Sequence, residues 1–170
     1  CERKTVPLAR LKELTQGKKF QFDDFDLRAT VGVGTFGRVR VVKIKGSSDG
    51  APMALKIMRK SEIVKLKQVK HVNSEKEILL SIQHPSIVNM LSVFQDEKRL
   101  CLLLEYVNGG ELFSQIRKVG QLASEHAMFY AAEIVMAFQY LHSIHIIYRD
   151  LKPENLLIDS DGRLKITDFG

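Results

Sequence analysis

Three glycines at fixed offsets could bring the backbone of this chain close to a phosphate group. The stretch from Gly32 to Val39 reads Gly-Val-Gly-Thr-Phe-Gly-Arg-Val. In a dinucleotide-binding loop, glycines with this spacing lead into a helix, but residues 39–44 are rich in valine and isoleucine and typical of a strand. We therefore predict a strand–turn–strand flap whose N–H groups can point at phosphate oxygens. A glycine-rich hairpin without a ligand is the alternative.

A second set of polar residues lies near the end of the sequence. Asp150, Lys152 and Asn155 fall within one short stretch, and Asp168 follows later. Hard carboxylate and amide oxygens suit Mg²⁺, and an ammonium group can neutralise negative charge. Taken one at a time, such residues are more readily explained as structural, so a functional interpretation depends on their joint arrangement.

The hydrophobic pattern predicts a β-rich half followed by a helical half, with a flexible joint near 107–110. In the first half we expect strands near 25–29, 39–44, 53–58, 87–95 and 100–107, a helix over 4–14, and a helix or a pair of helices over 61–82. In the second half we expect helices over 111–118 and 124–142, and a hairpin of 156–158 with 164–166. The helix over 124–142 is expected to be capped by Ser124, with an apolar stripe of Met128, Ala131, Val135, Phe138 and Leu141.

The composition is that of an ordinary globular domain. Of 170 residues, 45% are hydrophobic and 27% charged, which argues against disorder, and no apolar run approaches the roughly 20 residues of a membrane-spanning helix. Two cysteines, Cys1 and Cys101, are too few for a disulfide framework and favour a reducing, intracellular compartment. Because the sequence starts with Cys1 and shows no signal-peptide pattern, we expect it to be part of a longer protein.

The basic excess is concentrated in two stretches. Residues 1–22 contain six basic and two acidic residues, and residues 59–71 contain five basic and one acidic residue. Such stretches suit nucleic acid or an acidic membrane surface, but solvated helix faces are the simpler interpretation. No aromatic residue lies within 59–71, so a surface that stacks on bases is not predicted.

Several motifs occur in the order found in one enzyme family. Ala54-Leu55-Lys56 lies on a predicted strand and is followed by Tyr148-Arg149-Asp150-Leu151-Lys152-Pro153-Glu154-Asn155 and by Thr167-Asp168-Phe169-Gly170. With the glycine loop, these motifs resemble those of the eukaryotic protein kinases over residues 23–170. Tyr148 in place of the usual histidine, and the segment 105–113, are most similar to the AGC serine/threonine kinases, and among these to the cyclic-AMP-dependent kinases.

The resemblance implies that Lys56 contacts the α and β phosphates of ATP and is held by a helix carboxylate. Glu75 is the residue that matches this carboxylate. Glu77 is a distant second candidate, because a residue two positions further along a helix lies on a different face.

The resemblance also implies roles for the second polar set. Asp150 would accept the proton of the substrate hydroxyl, and Lys152 would neutralise charge on the transferred phosphoryl group. Asn155 and Asp168 would hold Mg²⁺ between the phosphates, as hard oxygen ligands.

The resemblance implies an apolar adenine pocket lined by Val39, Ala54, Leu157 and Leu104, beside which Glu105 and Val107 would offer backbone hydrogen bonds. The other implied ATP-binding residues are Gly32, Gly34, Thr35, Phe36, Gly37, Lys56, Glu111 and Asp168. Glu111 and Glu154 would bind a basic residue of the protein substrate. His71 and Arg149 match residues that grip an activation-loop phosphate, and a stack of Leu79, Met90, Tyr148 and Phe169 would link two lobes.

The resemblance implies an α+β, bilobal fold, with a complete β-rich N-lobe and the first part of a mainly helical C-lobe. The N-lobe is expected to contain a five-stranded antiparallel sheet and one principal helix, with the nucleotide in the cleft between the lobes. The expected boundaries are 1–22 for a basic helical extension, 23–107 for the N-lobe and 108–170 for the partial C-lobe.

The implied function is that of an ATP- and Mg²⁺-dependent serine/threonine protein kinase of the cytoplasm or nucleus. Its substrates would be proteins with basic residues near the phosphorylated hydroxyl, and its partner a cyclic-AMP-responsive regulatory subunit. Because the activation loop would follow Gly170, we expect residues 1–170 alone to transfer phosphate poorly. A catalytically inactive, kinase-like binding module is the first alternative, and a basic module for nucleic acid is the second.

Overall fold

The computed structural model describes residues 6–169. Its helices are α1 (Leu8–Thr15), α2 (Lys60–Lys65), α3 (Val69–Ser81), α4 (Leu112–Val119) and α5 (Ser124–Ser143). Its strands are β1 (Phe25–Gly34), β2 (Gly37–Ile44), β3 (Met53–Arg59), β4 (Met90–Gln95), β5 (Arg99–Glu105), β6 (Leu156–Ile158) and β7 (Leu164–Ile166). Short 3-10 turns occupy Phe22–Asp24 and Pro153–Asn155.

The described chain forms two compact units. One comprises residues 6–80 and 89–106, and the other comprises residues 81–88 and 107–169. The segment Ser81–Val88 thus groups with the unit that contains α4 and α5. Among the described residues, no helix is long and apolar enough to cross a membrane.

The first unit contains the expected five-stranded antiparallel sheet, with strand order β1-β2-β3-β5-β4. Val39 pairs with Lys56, and Ala54 pairs with Leu104. Because paired residues share a face and side chains alternate along a strand, these four residues lie on one face of the sheet. The sheet therefore brings four of the predicted ATP-binding residues to a common surface.

The opposite face of the sheet forms the main core of this unit. It contains Val42, Met53, Leu55, Cys101 and Leu103, all almost fully buried. Helix α1 covers this face: Leu11 is buried in the cluster, and Arg10 Nε lies 2.7 Å from Asp49 Oδ2.

The helix expected over 4–14 thus forms at Leu8–Thr15, with residues 4 and 5 outside the described part of the chain. It packs on the sheet because its apolar side chains can be buried there, which stabilises the folded state.

The second unit contains the expected β6–β7 hairpin, in which Leu156 pairs with Ile166. Here one strand boundary from the sequence is wrong. The strand expected over 87–95 begins only at Met90, and Val88 N–H instead donates to Ile166 O at 2.9 Å. An apolar run has the same pattern whichever strand it pairs with, so the sequence could not separate the two partners.

Helix α5 also differs from the prediction. Its buried side chains are Glu133, Ala137 and Leu141, whereas Met128 and Val135 are more than half exposed.

The predicted N-terminal cap of helix α5 is wrong as well. Ser124 is the first helical residue and Ala123 occupies the N-cap, without a side-chain hydrogen bond. The helix starts early enough to place Ser124 inside its first turn, where it cannot act as the N-cap.

Candidate active site

The glycine loop is the turn of the β1–β2 hairpin, as predicted. Gly34 pairs with Gly37, and Thr35 and Phe36 form the turn between them. A Cβ atom at Gly37 would lie only 1.8 Å from Ile57 O of β3. Glycine is therefore required at this position, because the start of β2 approaches the neighbouring strand too closely for any side chain.

Lys56 and Glu75 form an ion pair. Lys56 lies on β3 and Glu75 on α3, and Lys56 Nζ is 2.6 Å from Glu75 Oε1. The Glu75 side chain is 6% exposed, whereas that of Lys56 is 23% exposed. The carboxylate is therefore buried, and the lysine that it binds stays partly accessible to solvent. Glu77 is exposed. Glu75, the match that the resemblance implied, is therefore the carboxylate in contact with Lys56, and Glu77 lies on the exposed face of the helix.

The predicted adenine-pocket residues are divided between the two units. In the first unit, Ala54 and Leu104 are buried on the face that carries Lys56, and Glu105 ends β5. In the second unit, Leu157 lies in β6 and forms an isolated β-bridge with Glu111. Val107, also in the second unit, is buried.

Asp150, Lys152 and Asn155 form a compact cluster in the second unit. Lys152 Nζ lies 2.8 Å from Asp150 Oδ2. Asn155 Nδ2 donates to Asp150 O and to Asp150 Oδ2, each at 3.0 Å. The 3-10 turn Pro153–Asn155 makes this possible, because Asn155 N–H donates to Lys152 O at 3.0 Å and turns the chain back towards Asp150.

The cluster keeps Asp150 ionised. The hydrogen bond from Lys152 is the largest influence that lowers the pKa of the Asp150 carboxyl, and the hydrogen bond from Asn155 lowers it further. In return, Asp150 raises the pKa of the Lys152 ammonium group. At neutral pH, Asp150 is therefore a carboxylate that can accept a proton, beside a charged lysine.

Asn155 and Asp168 fit the chemistry of a Mg²⁺ site. The amide nitrogen of Asn155 is bound by Asp150, so its amide oxygen is the atom suited to a cation. Thr167 N–H donates to Asn155 O at 3.0 Å, which ties Asn155 to the residue before Asp168. Mg²⁺ is commonly held by one or two protein oxygens, together with water and phosphate oxygens. This explains why two residues suffice, although residues 6–169 contain no larger acidic or histidine cluster suited to a metal.

Tyr148 contacts the segment that carries Asp168. Its ring lies 5.1 Å from the ring of Phe169, measured between centroids, and its hydroxyl donates to Thr167 O at 2.5 Å. Burial raises the pKa of the Tyr148 hydroxyl, so it stays a neutral donor. Leu79 and Met90, the other residues of the predicted stack, belong to the other unit, and their part in it stays a prediction.

The residues predicted to bind substrate and activation-loop phosphate are accessible. Glu111 and Glu154 are exposed, as are His71 and Arg149. His71 Nδ1 lies 2.5 Å from Gln68 Oε1. The structure leaves these side chains open to a partner, and their roles stay predictions.

Several buried polar residues escaped the sequence analysis, among them Glu133 and Asn89. Glu133 on α5 accepts a hydrogen bond from Leu164 N–H at 2.7 Å and so anchors β7. Asn89 hydrogen-bonds to Glu105. The available signal was a polar residue within an otherwise buried pattern: Glu133 lies four residues before Ala137, and Asn89 follows the apolar pair Ile87-Val88.

Comparison with known proteins identifies the family to which this chain belongs. The protein kinase domain family matches residues 25–170. A cAMP-dependent protein kinase catalytic subunit of Dictyostelium discoideum is 54% identical over 147 residues, which are 86% of this chain and 22% of that protein. The human cAMP-dependent protein kinase catalytic subunit PRKX is 49% identical over 151 residues, which are 89% of this chain and 42% of that protein.

A third relative, cAMP-dependent protein kinase type 3 of Saccharomyces cerevisiae, is 48% identical over 152 residues, which are 89% of this chain and 38% of that protein. The chain thus spans less than half the length of each of these three relatives. The family match nevertheless covers most of the chain and includes the glycine loop, the Lys56–Glu75 ion pair and the Asp150 cluster. This chain therefore belongs to the protein kinase domain family.

Proposed function

We propose that the protein containing this chain is an ATP-dependent serine/threonine kinase that transfers the γ-phosphoryl group to protein hydroxyls. The observation that carries this proposal is the Asp150 carboxylate, held by Lys152 at 2.8 Å and by Asn155 at 3.0 Å. Phosphoryl transfer requires a proton acceptor and a cation that balances the negative charge of the phosphoryl group, and this cluster contains both.

Each side chain has a separate role in this reaction. The Asp150 carboxylate orients the substrate hydroxyl and accepts its proton. Lys152 balances the negative charge of the phosphoryl group during its transfer. Lys56, held by Glu75, binds phosphate oxygens of the nucleotide. Mg²⁺ supplies further charge neutralisation when it is held by Asn155 and Asp168.

The substrates that we propose carry basic residues near the phosphorylated hydroxyl. This is supported by two exposed carboxylates, Glu111 at the start of α4 and Glu154 beside the Asp150 cluster. Control by a cyclic-AMP-responsive regulatory subunit is supported by the names of the relatives, which are cAMP-dependent kinase catalytic subunits. The location in cytoplasm or nucleus stays a prediction.

A non-catalytic binding module is the second candidate. Helix α5 exposes Met128, Phe129, Val135 and Met136, each 46–65% exposed, and an exposed apolar surface of this kind can bind a partner. The two candidates differ in whether the Asp150 cluster turns over substrate.

Phosphotransfer by the intact protein tests the proposal. We expect label from γ-labelled ATP to reach a serine peptide with arginines before the serine, in the presence of Mg²⁺. A matched peptide with alanines in place of the arginines should be phosphorylated less efficiently, because it cannot pair with Glu111 and Glu154. Nucleotide binding without label transfer to any peptide would contradict the kinase proposal and favour the binding module.

The pH dependence of the rate provides a separate prediction for Lys152. Lys152→Ala removes the group that most strongly lowers the pKa of Asp150, so this pKa should rise. Because the reaction needs the ionised carboxylate, activity is present above this pKa and is lost as the pH falls through it. The acid limb of the kcat/KM profile should therefore move to higher pH, and kcat should fall by about 10²-fold.

Lys118→Ala is the matched control, since Lys118 is an exposed lysine in the last turn of α4. It should leave both the acid limb and kcat unchanged. An acid limb that stays in place in Lys152→Ala would show that Lys152 does not set the ionisation of the reacting group.

A further inference from the structure

Asn89 and Glu105 form a buried polar pair at the end of β5. Asn89 is 1% exposed and Glu105 is 5% exposed. The backbone N–H and the side-chain Nδ2 of Asn89 both donate to Glu105 Oε1, each at 2.7 Å. Glu105 N–H donates to Asn89 O at 3.0 Å. We name these three hydrogen bonds the Asn89–Glu105 clamp.

The clamp changes the hydrogen bonding between these two antiparallel segments. In a regular hydrogen-bonded pair, each residue donates its N–H to the carbonyl of the other. Glu105 follows this rule, but Asn89 N–H donates to the Glu105 carboxylate instead. The carboxylate thus takes the place of the Glu105 carbonyl as the acceptor of that N–H. The ladder is also irregular nearby, with a register shift between Met90 and Ser92, and such shifts redirect groups beside functional sites.

We propose that Asn89 and the Glu105 side chain are positioning residues for the recognition of a 6-aminopurine base. By taking the Asn89 N–H, the carboxylate keeps the Glu105 carbonyl out of this pair and directs it to the exocyclic amine of adenine. The inference rests on the proposed function, together with the backbone contact between Glu105 and the base of ATP that the kinase resemblance implies.

The same arrangement disfavours guanine. Guanine presents a carbonyl oxygen where adenine presents an amine, and two acceptors cannot form a hydrogen bond with each other. Discrimination between ligands gains from such a mismatch as well as from the favourable contact. The clamp therefore predicts a preference for ATP over GTP that depends on two side chains which do not themselves touch the nucleotide.

The burial of the Glu105 carboxylate at the end of β5 also needs an explanation. A buried charge is costly unless hydrogen bonds compensate it, and an apolar side chain would avoid that cost. Two hydrogen bonds from one residue to Glu105 Oε1 provide this compensation. A geometric role in base recognition explains why the pair is polar although its neighbours Val88 and Leu104 are apolar.

Binding of ATP and GTP to the intact protein, measured by calorimetry, tests the clamp. Glu105→Met removes the carboxylate acceptor, so Asn89 N–H should pair with the carbonyl of residue 105 and compete with adenine for it. We expect the Kd for ATP to rise about tenfold, the equivalent of one lost hydrogen bond, and the preference for ATP over GTP to fall. Glu105→Gln keeps an oxygen acceptor at the same place and should retain that preference.

Two further variants keep the test decisive. Asn89→Leu removes the Nδ2 donor that helps to hold the Glu105 carboxylate on the Asn89 N–H. It should weaken ATP binding about threefold and lower the preference for ATP over GTP by a similar factor. It decides the question if Glu105→Met fails to fold. Cys101→Ala, at another buried position of β5, should lower Tm without a change in the ratio of the two Kd values.

The outcomes separate the clamp from the proposed function. An unchanged ratio of Kd values in folded Glu105→Met, or in Asn89→Leu if Glu105→Met does not fold, would overturn the clamp. The expected changes in nucleotide binding, without phosphotransfer by the unmodified protein, would support the clamp and overturn the kinase proposal. Failure of the unmodified protein to bind either nucleotide would overturn both.

Discussion

Asp150→Asn is expected to reduce kcat for phosphotransfer by about 10²–10⁴-fold, the range found for the loss of a general base. Asparagine has nearly the same shape as aspartate, but it cannot accept the substrate proton, and it loses the ion pair with Lys152 Nζ at 2.8 Å. Nucleotide binding should change only a few-fold, because Asp150 acts on the hydroxyl of the substrate. Steady-state kinetics together with calorimetry would measure both effects.

Asp161→Asn is the matched control for this variant. Asp161 is exposed in the turn between β6 and β7, so the same chemical change occurs in the same unit, away from the cluster. It should leave kcat unchanged. Equal rates for the unmodified protein and Asp150→Asn would contradict the role of Asp150 and favour the non-catalytic binding module.

Lys56→Met is expected to lower kcat by about 10²–10³-fold, the range found when one preorganised group that stabilises developing charge is removed. The Lys56 ammonium is held 2.6 Å from Glu75 Oε1 and is the cation that we propose to bind nucleotide phosphates. Glu75→Ala should cause a comparable loss, because Lys56 would no longer be oriented. Glu75→Gln keeps an acceptor for Lys56 and should retain part of the activity.

The double variant Lys56→Met/Glu75→Ala distinguishes a functional pair from two independent residues. If the residues act as one unit, the double variant should be no slower than the worse single variant. Glu77→Gln, on the exposed face of the same helix, is the matched control and should have unchanged kinetics. A loss in Glu77→Gln equal to that in Glu75→Gln would show that the ion pair is not the relevant contact.

The features that depend on local pattern were predictable from the order of residues. Apolar strand patterns predicted the strands of the sheet, and the glycines followed by a β-branched run predicted a strand–turn–strand flap rather than a loop leading into a helix. The structure places the turn of this flap between Gly34 and Gly37. The resemblance to the kinase motifs indicated Glu75 as the partner of Lys56, and helical spacing placed Glu77 on a different face. These predictions succeed because periodicity and turn chemistry act between neighbours in the chain.

The features that depend on partners distant in the chain were not predictable. Val88 N–H donates to Ile166 O, Glu133 accepts a hydrogen bond from Leu164 N–H, and Asn89 donates to Glu105. Each contact joins segments that are well separated in sequence, and a buried polar residue has no periodic signature that identifies its partner. Local spacing thus specifies which chemical groups and strands this kinase domain has, whereas long-range packing selects which N–H meets which acceptor, because desolvated polar groups must find partners wherever the folded chain places them.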